Sequence, residues 1–158
     1  MTPKISTYRY GSSRRANEGL RLGVTRHVPR GVRREDWQRR DYFDQWVPLL
    51  APTSDLVAKY RQKKITFATF ANRYKSQMKG RDCRQVIDLL AAIALFLPIS
   101  IGCYCEDEDK CHRSLLQKLI LKGAQLRARE FTRLLETCEP RDIVRYASPV
   151  CFQGLEQD

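Results

Sequence analysis

Apolar and polar residues alternate twice near the start of the chain. Lys4-Ile-Ser-Thr-Tyr-Arg-Tyr10 is rich in β-formers and predicts a first strand. Leu20, Leu22 and Val24 share one face of a second strand that runs to Arg26. Gly11 to Gly19 between them is a loop by its Gly, Ser and Asn content, and Val28 to Arg34 is a loop broken by Pro29 and Gly31. From Glu35 to Leu50 the apolar set Trp37, Tyr42, Phe43, Trp46, Val47 and Leu50 recurs every 3–4 residues, which predicts one helix or two short ones. Thr53 or Ser54 is placed to cap the helix that begins with Leu56 to Tyr60. Phe67, Phe70, Ala71, Tyr74 and Met78 then mark the inner face of a helix over Thr66 to Lys79. Asp82 is placed to cap the next helix, whose apolar stripe is Val86, Leu89, Leu90, Ile93 and Leu97, and Pro98 ends it.

Ile99 to Tyr104 is a third strand with no polar residue beyond Ser100, the composition of a central strand buried on both faces. Two further helices are expected over Lys110 to Leu121 and Gln125 to Thr137, the second burying Leu126, Phe131, Leu134 and Leu135. Residues 138–158 show no period and are expected to be a partly ordered tail. This order of elements predicts an α/β fold, a small, mostly parallel sheet flanked by helices in a single compact domain over residues 1–137. Three strands are few for such a fold, so a fourth is expected, near Asp142 to Tyr146.

Charge and cysteine content narrow the picture. The 158 residues carry a formal net charge of +11, and the first hundred hold all of the excess. A field of that sign draws phosphates, nucleotides or nucleic acid. No run of about 18 apolar residues is present, so no membrane association is expected. The N-terminal residues lack the apolar core of a signal peptide, and a cytoplasmic location is the expectation. In that setting the six cysteines read as reduced thiols or ligands rather than a disulfide framework. Cys83, Cys138 and Cys151 stand alone and read as buried fillers.

The other three fall in Cys103-Tyr-Cys-Glu-Asp-Glu-Asp-Lys-Cys-His-Arg113, where the third strand hands over to a helix. That junction is where sites lie in open α/β sheets. Three readings stay open. Cys103, Cys105, Cys111 and His112 have the ligand chemistry of a Zn²⁺ site, with the acids from Glu106 to Asp109 adding attraction for a cation. Against this stand the unpaired Cys-x-Cys-x5-Cys-His spacing and the divergence of about 100° between neighbours on a helix. In the second reading a thiolate, Cys111 above all, is activated by the helix N-terminus and the adjacent cations. In the third the cysteines are apolar packing, and His112 and Arg113 contact an anion or pair with the acids. The third is favoured, so no cofactor is expected, with zinc as the alternative.

Arg26-His-Val-Pro-Arg-Gly-Val-Arg-Arg34 ends the second strand. Guanidinium forks bind phosphate or carboxylate bidentately. If the second and third strands are parallel neighbours, Arg26, Arg30, Cys103, Cys105, His112 and Arg113 converge at one sheet edge.

At these two segments the chain resembles the domain-of-unknown-function 488 family, in or near its YeaO-like branch. The resemblance rests on Gly19-Leu-Arg-Leu-Gly-Val-Thr-Arg-His-Val-Pro-Arg-Gly-Val-Arg-Arg-Glu-Asp36 and on the Cys111-His-Arg113 signature, with Trp46 to Pro52 and Phe67 to Tyr74 fitting the middle helices. It covers roughly residues 4–122. Where many members carry Cys-x-Glu before Cys-His-Arg, this chain has Cys103-Tyr104-Cys105, with the acid moved to Glu106. The resemblance implies a compact α/β domain with a site at these residues, and it supplies no reaction.

The function expected from these readings is binding of an anionic, phosphate-containing small molecule or nucleotide at the strand ends. Arg26, Arg30 and Arg113 would hold the anion. Cys103, Cys105, Cys111 and His112 are the candidates for chemistry if the protein is an enzyme. One alternative is a nucleic-acid-binding module that uses the basic surface, including Arg14, Arg15, Arg33, Arg34, Arg39, Arg40, Lys63 and Lys64, with Tyr60 to stack. Another is a structural or adaptor protein without catalysis.

Overall fold

The computed structural model describes residues 2–137, and the expected tail and the strand proposed near Asp142 to Tyr146 lie outside them. Four strands, β1 (Ile5–Arg9), β2 (Leu20–Gly23), β3 (Gln45–Trp46) and β4 (Ile99–Cys103), form a sheet of order β1-β4-β2-β3. Every pairing is parallel. β4 sits between β1 and β2 and is buried along its whole length, as its apolar composition predicts.

Four helices follow the periodicity closely in the middle of the chain: α1 (Ser54–Arg61), α2 (Phe67–Gln77), α3 (Arg81–Ile93) and α4 (His112–Thr137). The Thr53 and Thr66 side chains cap α1 and α2 by accepting from Leu56 N–H and Thr69 N–H. α2 buries Phe70, Ala71, Tyr74 and Met78, the stripe read from the sequence. These residues share one hydrophobic cluster with Leu22 and Val24, with Ile99 and Ile101 of β4, and with residues of α1, α3 and α4.

Three sequence expectations are corrected. Glu35 to Leu50 is not helical: it holds short 3-10 turns at Arg34–Asp36 and Pro48–Leu50, with β3 between them. Asp41 has a φ of 58°, which a continuous right-handed helix cannot contain. The aromatic residues that mimic a helical period instead form a second cluster, where Phe43 packs with Tyr8 and Tyr10 and Trp37 and Trp46 lie against them. The two expected C-terminal helices are one continuous helix, because Lys122-Gly-Ala124 carries no breaker strong enough to stop it. On its outer half Leu126, Phe131 and Leu134 are exposed rather than buried. α3 is capped at Gly80 rather than Asp82, and it turns Cys83, Ile87, Leu90 and Ala91 inward, leaving Leu89 60 % exposed.

The sheet face opposite the helices is polar at its centre. Arg21 is fully buried there, 4.3 Å over the Tyr8 ring. Its guanidinium donates to Glu18 Oε2 at 2.9 Å and to the carbonyls of Ser12 at 2.9 Å and Asp41 at 3.1 Å. Ser100 on β4 completes the layer, donating to the Glu18 carbonyl at 2.7 Å. Nearer the strand ends, Gly23 and Gly102 pair across β2 and β4. A Cβ at Gly102 would lie 2.3 Å from the Tyr8 ring, and one at Gly23 would lie 2.4 Å from Phe43. Only glycine lets those rings rest on the backbone.

Burial pushes the Glu18 carboxyl up, but the Arg15 backbone N–H and the Arg21 guanidinium outweigh it and hold the group below its ordinary value of 4.5. A carboxyl lowered by folding contributes stability that is complete above the unfolded value and is lost as pH falls through the lower folded value. Glu18→Gln is expected to cost about 3 kcal/mol at neutral pH by leaving Arg21 short of its buried counter-charge. Denaturant titrations across the acid range should show a flatter dependence on pH in the variant than in the parent.

Candidate functional site

β2 and β4 lie side by side and in parallel, so the segments that leave their carboxyl ends emerge together. After β2 come Val24, Thr25 and Arg26. After β4 comes the loop from Tyr104 to Cys111, and then α4 begins at His112. The two segments are joined by one buried contact, His112 Nε2 to the Val24 carbonyl at 2.8 Å.

A carbonyl oxygen only accepts, so Nε2 is the protonated nitrogen of the ring and Nδ1 presents a lone pair. That lone pair faces two buried thiols, Cys111 Sγ at 3.8 Å and Cys103 Sγ at 3.9 Å. Cys105 Sγ lies 3.6 Å from Cys103 Sγ and is exposed. Burial holds His112 neutral by pushing its pKa down, against the opposing pull of the Val24 bond. The edge of the Tyr74 ring packs on the imidazole, with centroids 5.6 Å apart. Tyr74 itself is fixed by donating its hydroxyl to the Leu50 carbonyl at 2.7 Å.

The divergence expected between Cys111 and His112 does not arise. Cys111 precedes the first residue of α4, so the helical projection does not apply to it, and its sulfur folds back beside the imidazole. The ligand atoms of Cys103, Cys111 and His112 all lie within 4.8 Å of one another. They are the residues that could hold a metal ion, and Cys105 is the neighbouring thiol.

The three sulfurs divide the proton burden unequally. The Cys105 hydrogen bond raises Cys103 to about 11, and hydrogen bonds from the Cys103 and Cys111 thiols lower Cys105. Hydrogen bonds with the two neighbouring thiols, with burial behind them, push Cys111 up.

Three of the four acids have partners: Glu106 pairs with Arg9 at 2.9 Å, the Asp107 carboxylate accepts from the backbone of Asp109 and Lys110 and lies 3.6 Å from the Lys110 ammonium, and Glu108 accepts from Thr7. Arg113 is 2 % exposed and donates to the Cys105 carbonyl at 2.6 Å and the Glu106 carbonyl at 3.5 Å. It clamps the loop from beneath and does not line the cavity above it.

That cavity, about 640 Å³, opens at the strand ends. Its floor is Cys103, Cys105, Cys111 and His112, and α1 with Phe70 forms the opposite wall. Among the described residues, Arg26, Arg61 and Lys110 line it and no carboxylate does. Arg26 donates through one nitrogen to the carbonyls of Ala51 at 3.0 Å and Pro52 at 3.2 Å, while its buried Nε has no protein partner. Arg30 is exposed on the following loop and is not among the lining residues. Sequence reasoning thus found the floor and Arg26. It missed the Val24 carbonyl, Tyr74 and Arg61. A backbone acceptor leaves no residue-type signal, Tyr74 is masked by its place on an apolar stripe, and Arg61 looks like any other helix-surface cation.

Exposure predicts the order of thiol reactivity. In chelator-treated protein, mass spectrometry after brief iodoacetamide treatment should find Cys105 labelled well ahead of Cys83, Cys103 and Cys111, which are buried.

No curated protein and no solved structure matches the chain. A family model described as the active DUF488-N3 subclade matches residues 5–124, from the start of β1 into α4. The matched span contains both strand ends and the whole cavity floor, and the chain belongs to the DUF488 family.

Proposed function

We propose that the cavity at the strand ends binds a small anionic molecule of the phosphate-bearing class and presents it to the thiol and imidazole floor. The observation that carries this reading is the lining: three cations and no carboxylate surround a cleft floored by Cys103, Cys105, Cys111 and His112. Arg26 contributes a guanidinium already oriented by two carbonyls, with its Nε left to donate. A donor held in place before binding loses little entropy when the ligand arrives. Tyr60 and Phe70, whose rings lie 5.0 Å apart, offer an apolar surface to the remainder of the molecule, the balance typical of small-molecule sites. Any reaction on the bound molecule falls to Cys105, the exposed thiol whose pKa is lowered, with Cys103, Cys111 and His112 behind it.

The basic surface supports a nucleic-acid partner less well. Arg14 is paired with Asp44 at 2.7 Å, Arg15 with Glu18 at 3.6 Å, and Arg33 and Arg39 share Asp36. These pairs engage four of the guanidiniums that a nucleic acid would otherwise contact.

Calorimetric titration with inorganic pyrophosphate and a nucleoside monophosphate tests the reading. Arg61 and Lys110 are exposed, so Arg61→Ala/Lys110→Ala should fold normally and bind at least about tenfold more weakly, as expected for lost charge-assisted contacts. Arg33→Ala/Arg39→Ala should bind like the parent. Equal losses in both variants with a steep salt dependence would favour nucleic acid instead. Unchanged affinity in the Arg61/Lys110 variant would remove the cavity from consideration.

A further inference from the structure

We propose that Cys103, Cys111 and His112, completed by Cys105, form a binding site for a soft divalent metal ion of the zinc class. The inference goes beyond the reading of the cavity and does not rest on it, because the ion would sit in the floor whether or not an anion occupies the space above.

Geometry carries the argument. Zinc bonds thiolate sulfur at about 2.3 Å and imidazole nitrogen at about 2.0–2.1 Å in tetrahedral sites. Those lengths place neighbouring ligand atoms roughly 3.5–3.8 Å apart. Here Cys103 Sγ and Cys105 Sγ are 3.6 Å apart, and His112 Nδ1 lies 3.8 Å from Cys111 Sγ and 3.9 Å from Cys103 Sγ. Among Cys103, Cys111 and His112 the separations approach what one ion requires; Cys105 adjoins that group through Cys103 and would have to turn in to complete the set.

The orientation of the imidazole is a second, independent observation. His112 spends Nε2–H on the Val24 carbonyl, so Nδ1 has no proton and its lone pair faces the two buried sulfurs. Metal-ligating histidines are commonly held this way, with the distal nitrogen donating to a carbonyl that fixes ring and tautomer.

The donor set selects the ion. Three sulfurs and one nitrogen are soft or borderline ligands that suit zinc-class ions and disfavour magnesium or calcium. Of the nearby carboxylates, which would shift that preference, Glu106 is committed to Arg9, Glu108 to Thr7, and Asp107 to the loop backbone and Lys110. Binding of a divalent ion at these thiols releases their protons to solvent.

The full-length chain, expressed without a polyhistidine tag in zinc-supplemented medium, should carry about one equivalent of zinc by elemental analysis. Replacement by cobalt should give thiolate-to-metal charge-transfer absorption with the intense visible bands of a tetrahedral site. Cys105 is exposed, so Cys105→Ser should fold and should bind the ion at least about tenfold more weakly in competition with a chelator. Cys138→Ser/Cys151→Ser should keep the full equivalent. A folded parent protein that holds no zinc and gives no thiolate–cobalt absorption would overturn the proposal. So would a Cys105→Ser variant with unchanged affinity and cobalt spectrum, or loss of the ion in the Cys138/Cys151 variant. None of these readings depends on pyrophosphate or nucleotide binding, so the two proposals can fail separately.

Discussion

The bond from His112 to the Val24 carbonyl is the constraint on which the site depends. It ties the first residue of α4 to the end of β2, joining positions 88 residues apart in the chain. Its physical strength comes from burial: inside the protein an unpaired carbonyl or imidazole is costly, so each group fixes the other. The same bond decides which nitrogen holds the proton and where the other nitrogen faces. Cys111 is placed by being next to His112 in sequence, and Cys103 by being the last residue of β4. One polar contact thereby converts two strand ends and a helix start into a single cluster.

Charge is sorted by location with similar economy. On one face of the sheet, Arg21 and Glu18 neutralise each other in full burial, and this anchors the loops that cover that side. At the strand ends the sign is one-sided, because the acids after β4 are turned to Arg9, Thr7 and the loop backbone. Of the four carboxylates in sequence beside the site, only Asp107 pairs with a cation lining the cavity, Lys110 at 3.6 Å. Proximity along the chain is a poor guide to electrostatics here, because hydrogen bonds decide which way each carboxylate faces.

Much of this was legible before the fold was known, where the signal was strong and local. α2 has a clean apolar period that burial follows, and β4 is buried throughout as its composition predicts, whereas β2 buries Arg21 between Leu20 and Leu22 against its alternation. β3 is two residues long, too short to carry any period. The segment from Glu35 to Leu50 imitates a helix because aromatic residues at helical spacing serve an aromatic cluster, with the backbone turned by Asp41. The cysteines, His112 and Arg26 stood out because scarce, chemically distinct residues gathered at strand ends. Arg113 stood out for the same reason, and its guanidinium donates to the loop carbonyls of Cys105 and Glu106. Residue type reveals capability, and only the surrounding backbone decides how it is used.

The pairing of Gly23 with Gly102 has a wider consequence. With the rings of Tyr8 and Phe43 resting on those glycines, the opposite face of the sheet is sealed at the level of the site. The way in therefore lies along the helical side, where Ser54, Val57, Ala58 and Arg61 of α1 form the wall. Reactive groups belong to the sheet and α4, whereas the dimensions of the opening belong to a separate helix. Substitutions along α1 can redraw which molecules enter without displacing a sulfur or the imidazole. The architecture thus places the cluster and the width of its opening on separate elements.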